Sequence, residues 1–202
     1  MRAAALFPGL LLLCVTVGTA AAQERLACDG PFGRESSHAL LVKTFGAKNV
    51  AYRKVRGAEG ERIWASVLYP NSAKKRLEFI WNDVKARRRP SIRIEGASGW
   101  GAPNGIRIGI GLTDIEKFNG KPFKISGFNW DYGGQVTDWE GGALSYPMVG
   151  GCHVDIDFSL DKSAPDAAID KVSGESNFAS DNPSMLATKA KVSTIILTYP
   201  EQ

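Results

Sequence analysis

The chain has 202 residues, a formal net charge of +4 and 44% hydrophobic residues. That length supports one large domain or two small ones with a proper core, and so mild a charge does not imply nucleic acid. Beyond residue 22 no stretch is apolar for long enough to span a bilayer, so no transmembrane segment is expected there.

Residues 1–22 read as a secretory signal. Arg2 supplies a positive start, residues 5–17 an apolar centre, and Ala20 and Ala22 an A-x-A cleavage site before Gln23. Cys14 follows three leucines rather than the small residue of a lipid-attachment pattern, so a released, periplasmic or secreted protein is expected. Export argues against ATP or NAD chemistry, and no cofactor is expected. Two cysteines remain, Cys28 and Cys152, with no Cys-x-x-Cys. In an oxidising compartment such a pair closes a disulfide, here pinning the N-terminal segment to a late strand.

Residues 36–46 have the pattern of a short helix, with Ser36 or Ser37 as cap, Leu40, Leu41 and Phe45 on one face, and Gly46 at the end. Strands are predicted at 50–56, 62–69 and 77–81, with a further strand at 92–95 and a Gly-rich link at 96–105. A second helix follows from Leu112, where Thr113 and Glu116 have capping-box spacing and Gly120 ends the helix before Pro122. Strands at 123–128, 135–139 and 152–158 come next. Gly46 and Gly120 lie 74 positions apart, and the strands keep nearly the same offset. Each half therefore reads helix, strand, strand, strand, which suggests two pseudo-repeats, about 36–95 and 105–160. Residues 161–183 read as a loop with at most a short helix near 165–172, and 192–199 as a closing strand. The expected fold is α+β, an antiparallel sheet with short helices on one face, in one domain over 23–160 followed by the 161–202 tail.

The segment Gly109-Ile-Gly-Leu-Thr-Asp-Ile-Glu-Lys-Phe-Asn-Gly-Lys-Pro122 resembles the glycine–short helix–glycine-x-proline signature of β-lactamase-inhibitor-like repeats. Small outer-membrane-assembly lipoproteins share that signature. The resemblance implies a short helix pair against an antiparallel sheet, built twice in tandem in the inhibitor proteins, and a protein-binding module. The first half departs from it, since no proline follows Phe45-Gly46. No binding residue carries over one to one.

Candidate chemistry is sparse. His38 falls in the first turn of a helix and no Gly-x-Ser-x-Gly elbow is present, so serine hydrolysis is not expected. The glycines at 105, 109 and 111 are too loosely spaced for a dinucleotide loop. His153, Asp155 and Asp157 alternate along one strand face, with Cys152, Val154, Ile156 and Phe158 on the other. Same-face neighbours stand nearly 7 Å apart, awkward for one ion, so a solvated face is expected and no metal.

Charge is segregated. Residues 74–93 carry eight basic residues against Glu78 and Asp83, while residues 125–161 hold six acids and no Lys or Arg. The basic residues fall in two loops at opposite ends of the 77–82 strand, about 20 Å apart at strand rise. They read as solvated loops or as sites for the phosphates of lipid or polysaccharide. The acidic stretch mixes aromatics and glycines in turns, a composition suited to recognition. Trp130, Asp131, Tyr132, Asp138 and Trp139 are the expected contact patch. Trp81, in phase with Leu77 and Phe79, is expected in the core, whereas Trp130 and Trp139 could serve as anchors or as packing. The reading is a non-enzymatic exported protein that binds a protein partner of the cell envelope, a cationic one by charge. The alternative is an envelope hydrolase or carbohydrate-binding protein using Asp131, Asp138 or Glu140 beside the same aromatics.

Overall fold

Alternating apolar residues between positions 50 and 95 build a four-stranded antiparallel meander: β1 (Val50–Arg56), β2 (Arg62–Leu68), β3 (Leu77–Asp83) and β4 (Arg88–Glu95). The computed structural model describes residues 24–200 except positions 84 and 86, with the side chains of Asp83 and Arg88 also outside it. The expected signal at residues 1–22 lies outside the described residues.

Ahead of the meander, α1 (His38–Phe45) is capped by Ser37, whose Oγ accepts the Leu40 N–H at 3.1 Å, and it stops at Gly46. After it, α2 (Leu112–Asn119) leads to β5 (Lys124–Ser126), β6 (Val136–Asp138) and β7 (His153–Ser159). The chain closes with α3 (Asp166–Asp170), β8 (Asn177–Ala179), α4 (Pro183–Ala187) and β9 (Lys191–Thr198). Among the described residues the strands form two antiparallel sheets, β1-β2-β3-β4-β9-β7 and β6-β5-β8. The α+β class is as expected.

One face of the six-stranded sheet carries Leu68, Leu77, Phe79, Trp81, Ile92, Ile94, Ile195, Leu197, Val154 and Ile156, all buried. Leu41 of α1, Leu112 and Ile115 of α2, Phe123 just before β5, and Ile125 of the small sheet pack against them in one core. Pro90 lies in β4, an interior strand, yet β4 pairs with β9 only from Ile92 onward, so the missing N–H costs no ladder bond to β9. The Cys28–Cys152 disulfide ties the N-terminal segment to the start of β7, with the two Cα atoms 5.8 Å apart.

Three details depart from the sequence expectation. The Thr113–Glu116 capping box does not form. The cap falls two residues earlier, at Gly111, whose backbone bridges to Lys191, and Glu116 turns away to accept the Ser180 hydroxyl at 2.6 Å. The stretch 161–183 is more than a loop with one helix, since it includes β8 and the Asn182-capped start of α4. The second half also pairs differently from the first. β1, β2 and β3 are consecutive neighbours, whereas β5 and β6 join β8, and β7 enters the large sheet through β9.

Candidate functional site: a cleft on the open sheet face

Pleating sends Ile63, Ile80, Arg93, Glu95, Thr194, Ile196, Asp155 and Asp157 to the sheet face opposite the core. Register sets them in rows. Glu78, Arg93, Ile196 and Asp155 stand side by side across β3, β4, β9 and β7, and Glu95, Thr194 and Asp157 form the next row. A second small apolar cluster, Val55, Ala65 and Val67 with Ile63 and Ile80, sits on this same face.

Two loops raise walls around these rows. The β1–β2 turn contributes Gly57, Ala58 and Glu59, and the β5–β6 loop contributes Asp131, Tyr132 and Gly133. The Tyr132 hydroxyl donates to Glu59 Oε1 at 2.9 Å and joins the two loops. That bond to a carboxylate is the main reason the Tyr132 hydroxyl titrates above its ordinary value. The cleft between the two loops has a volume of about 410 Å³, with Ile63, Ile80 and Ile196 among its apolar lining.

The loop is held by its backbone. Trp130 donates its indole N–H to the Gly127 carbonyl at 2.8 Å and sets its ring edge-to-face against Tyr132, 5.4 Å between centroids. At Gly134, with φ +83°, a Cβ would lie 2.2 Å from the Phe158 carbonyl oxygen. That contact distance leaves room for glycine alone. Here the Phe158 N–H donates to the Gly134 carbonyl at 2.7 Å, and Gln135 bridges to Asp157.

Two arginines, Arg56 and Arg93, face four carboxylates, Glu59, Glu95, Asp131 and Asp157, in the lining. Arg93 is already engaged. It donates from Nε and from its guanidinium terminus to Glu78, whose side chain is 2% exposed, and reaches the Arg56 carbonyl at 2.7 Å. Arg76 supplies the second partner of Glu78. Arg93 Nε also lies 3.6 Å from Glu95 Oε2. Among the described residues the lining carboxylates outside any ion pair are therefore Glu59, Asp131 and Asp157, against Arg56, and the charge left over in the cleft is negative. Burial, followed by the nearby Asp155, pushes the Asp157 carboxyl up to about 6.

The sequence-predicted patch divides. Asp131 and Tyr132 line the cleft with Trp130 behind them. Asp138 ends β6, exposed, and its Oδ1 accepts the Glu140 N–H at 2.6 Å. Trp139 packs tilted against Phe123, 5.1 Å between centroids and 54° between planes, half-buried on the core. Of the three carboxylates weighed for hydrolysis, Asp131 lines the cleft and Asp138 and Glu140 do not. Among the described residues no three His, Cys, Asp or Glu side chains converge as metal ligands.

Sequence reasoning missed Glu59, Arg93 and Glu95, for the sequence signal of alternation shows which face a residue takes but not which strands become neighbours. It also missed that His38 Nδ1 lies 2.7 Å from Ser66 Oγ. That pair is a packing network. Ser66 is fully buried and accepts the Trp81 indole N–H at 3.0 Å, and burial with the adjacent Arg87 holds His38 below its ordinary pKa. A hydrolytic base needs an orienting acid, and a neighbouring cation opposes that role.

Compared with known proteins, the chain matches no family model, no curated protein and no solved structure. No described helix is long and apolar enough to cross a membrane.

Proposed function

We propose that this chain is an exported, non-enzymatic binding protein that takes a cationic side chain of a protein partner into the open-face cleft. One observation carries the reading: a lined cleft on the sheet face opposite the core holds three carboxylates outside any ion pair, Glu59, Asp131 and Asp157, against Arg56, while Arg93 is taken up by Glu78 and Glu95. Isoleucines on its wall suit the aliphatic stem of a lysine or arginine, and Asp131 and Asp157 suit the charged head. Asp131 and exposed Tyr132 on the rim supply the aromatic and charged contacts that dominate interfaces. The Cys28–Cys152 disulfide supports an oxidising compartment, periplasmic or secreted. The resemblance of residues 109–122 to inhibitor-like repeats, and the recurring helix–strand order of the two halves, are in keeping with a tandem protein-binding module.

The test is affinity capture from envelope extract with cross-linking and salt titration. Wild type should retain a partner whose Lys- or Arg-bearing segment cross-links beside the cleft, and higher salt should weaken it. The Asp131→Asn/Tyr132→Ala variant should lose that partner. Retention by the double variant, or cross-links confined to another face, would overturn the proposal.

A further inference from the structure

Outside the cleft, the strongest unassigned surface joins the β1–β2 hairpin to the β3–β4 loop. On β1 and β2, Lys54 stands opposite Trp64, and Tyr52 lies one same-face step along. Their side chains form a stack. The Tyr52 and Trp64 rings are 5.1 Å apart and 15° from parallel, Lys54 Nζ lies 5.9 Å from the Trp64 centroid, and the Arg87 guanidinium sits 4.2 Å over Tyr52. His38 closes the inner end, its ring edge-on to Tyr52, and its backbone N–H donates to the Arg87 carbonyl at 3.2 Å, which fixes the loop against α1.

The outer end is open. Trp64 is 48% exposed, the largest aromatic so placed among the described residues. Arg62 neighbours it on the hairpin, donating to the Lys54 carbonyl at 3.0 Å, and Lys85 on the loop and Arg89 at the start of β4 are exposed. The ion pairs among the described residues leave Lys54, Arg62 and Arg87 without a carboxylate. The other basic cluster lies at the opposite end of β3, where Lys75 meets Tyr69 and its carbonyl accepts the Trp100 indole N–H at 2.9 Å.

We infer that Trp64, Tyr52, Lys54, Arg62 and Arg87 form a binding surface for an acidic polysaccharide whose pyranose rings carry carboxylates. An exposed indole face packs the apolar C–H face of a sugar ring, and flanking ammonium and guanidinium groups pair with carboxylates along the polymer. Single-stranded nucleic acid would also use an aromatic with cations. The disulfide is in keeping with an oxidising, extracytoplasmic compartment, which favours a glycan over nucleic acid as the polyanion. The surface is separate from the cleft, so its test is independent of the proposal above.

The experiment measures binding of polygalacturonate, neutral dextran and a thymidine oligonucleotide to the whole protein by calorimetry and tryptophan fluorescence. Polygalacturonate should bind, dextran should not, and the oligonucleotide should bind more weakly. Trp64→Ala should weaken polygalacturonate roughly tenfold, as for loss of one stacking platform. Lys54→Ala/Arg87→Ala should weaken it and flatten its salt dependence, while Asp131→Asn/Tyr132→Ala should leave it unchanged. Circular dichroism of each variant confirms folding, and Trp64→Phe should recover part of the affinity. No binding of polygalacturonate, binding indifferent to Trp64→Ala, or tighter binding of the oligonucleotide would overturn the inference.

Discussion

Asp157 carries the most consequential ionisation in the cleft. Burial raises its carboxyl from 3.8 to about 6, with Asp155 adding to the effect and Thr194 and Arg93 opposing it. Between those two pH values the folded protein holds the proton and an unfolded chain does not. This group's contribution to folding is therefore greatest below pH 4 and is lost as pH rises through 6. Asp157→Asn removes the dependence. The variant's stability relative to wild type should rise by about 2 kcal/mol between pH 4 and pH 7.5, a value discounted for the group's partial exposure. Urea denaturation at the two pH values measures it, and a flat difference would show that the proton is not held in the fold. Glu78, nearly fully buried, is satisfied by Arg76 and Arg93 together, and Arg93 is shared between it and Glu95 of the cleft.

Elements position these residues through a few close approaches. The β5–β6 loop reaches the large sheet at Gly134, where backbone of β7 occupies the space a side chain would need. Gly134→Ala should cost at least about 2 kcal/mol, by clash and by a left-handed φ, and should release Tyr132 from Glu59. Thermal denaturation with hydrogen exchange across residues 130–137 reads both effects. Unaltered exchange in that loop would mean that the anchor lies elsewhere. The β1–β2 hairpin, in turn, serves two surfaces. Its turn supplies Glu59 to the cleft, and its strands present Trp64 and Lys54 on the face opposite.

For the whole molecule, closure depends on long-range ties. The disulfide spans 124 positions and fastens the N-terminal segment to β7, an edge strand of the large sheet. Beside it Gly150, at φ +94°, lets the backbone pass within contact of Cys28. In the chain-entropy treatment a loop of this length stabilises the fold by about 4–5 kcal/mol. Cys28→Ser/Cys152→Ser should therefore melt about 10–15 °C lower than wild type. A scanning calorimetry shift of only a degree or two would show that the core alone closes the molecule. Opposite charge surfaces also follow at this scale. The acidic stretch contributes to the cleft and the basic loops sit at the two ends of β3, a separation that net charge conceals.

Much of the fold was legible in the sequence because its signals are local. Alternation in β1 to β4, β7 and β9, the Ser37 cap, the glycines ending α1 and α2, and the two cysteines each report a preference that neighbours in the chain enforce. The loop bearing Asp131 and Tyr132 stood out by composition, as did the basic run. What escaped was set by distant partners. Asn177–Ala179 is a strand only because Lys124–Ser126 pairs with it, and Glu116 leaves its helix cap for Ser180. Trp139 packs on Phe123, and the cleft exists because β9 inserts between β4 and β7, bringing Arg93 and Glu95 toward Asp157. By itself the sequence determined the class of fold, the bridge and the segregation of charge, since period, capping and composition act over a few residues. Tertiary structure alone decided which charges meet, because strand order and register are settled by burial of the whole sheet face, which no local pattern encodes.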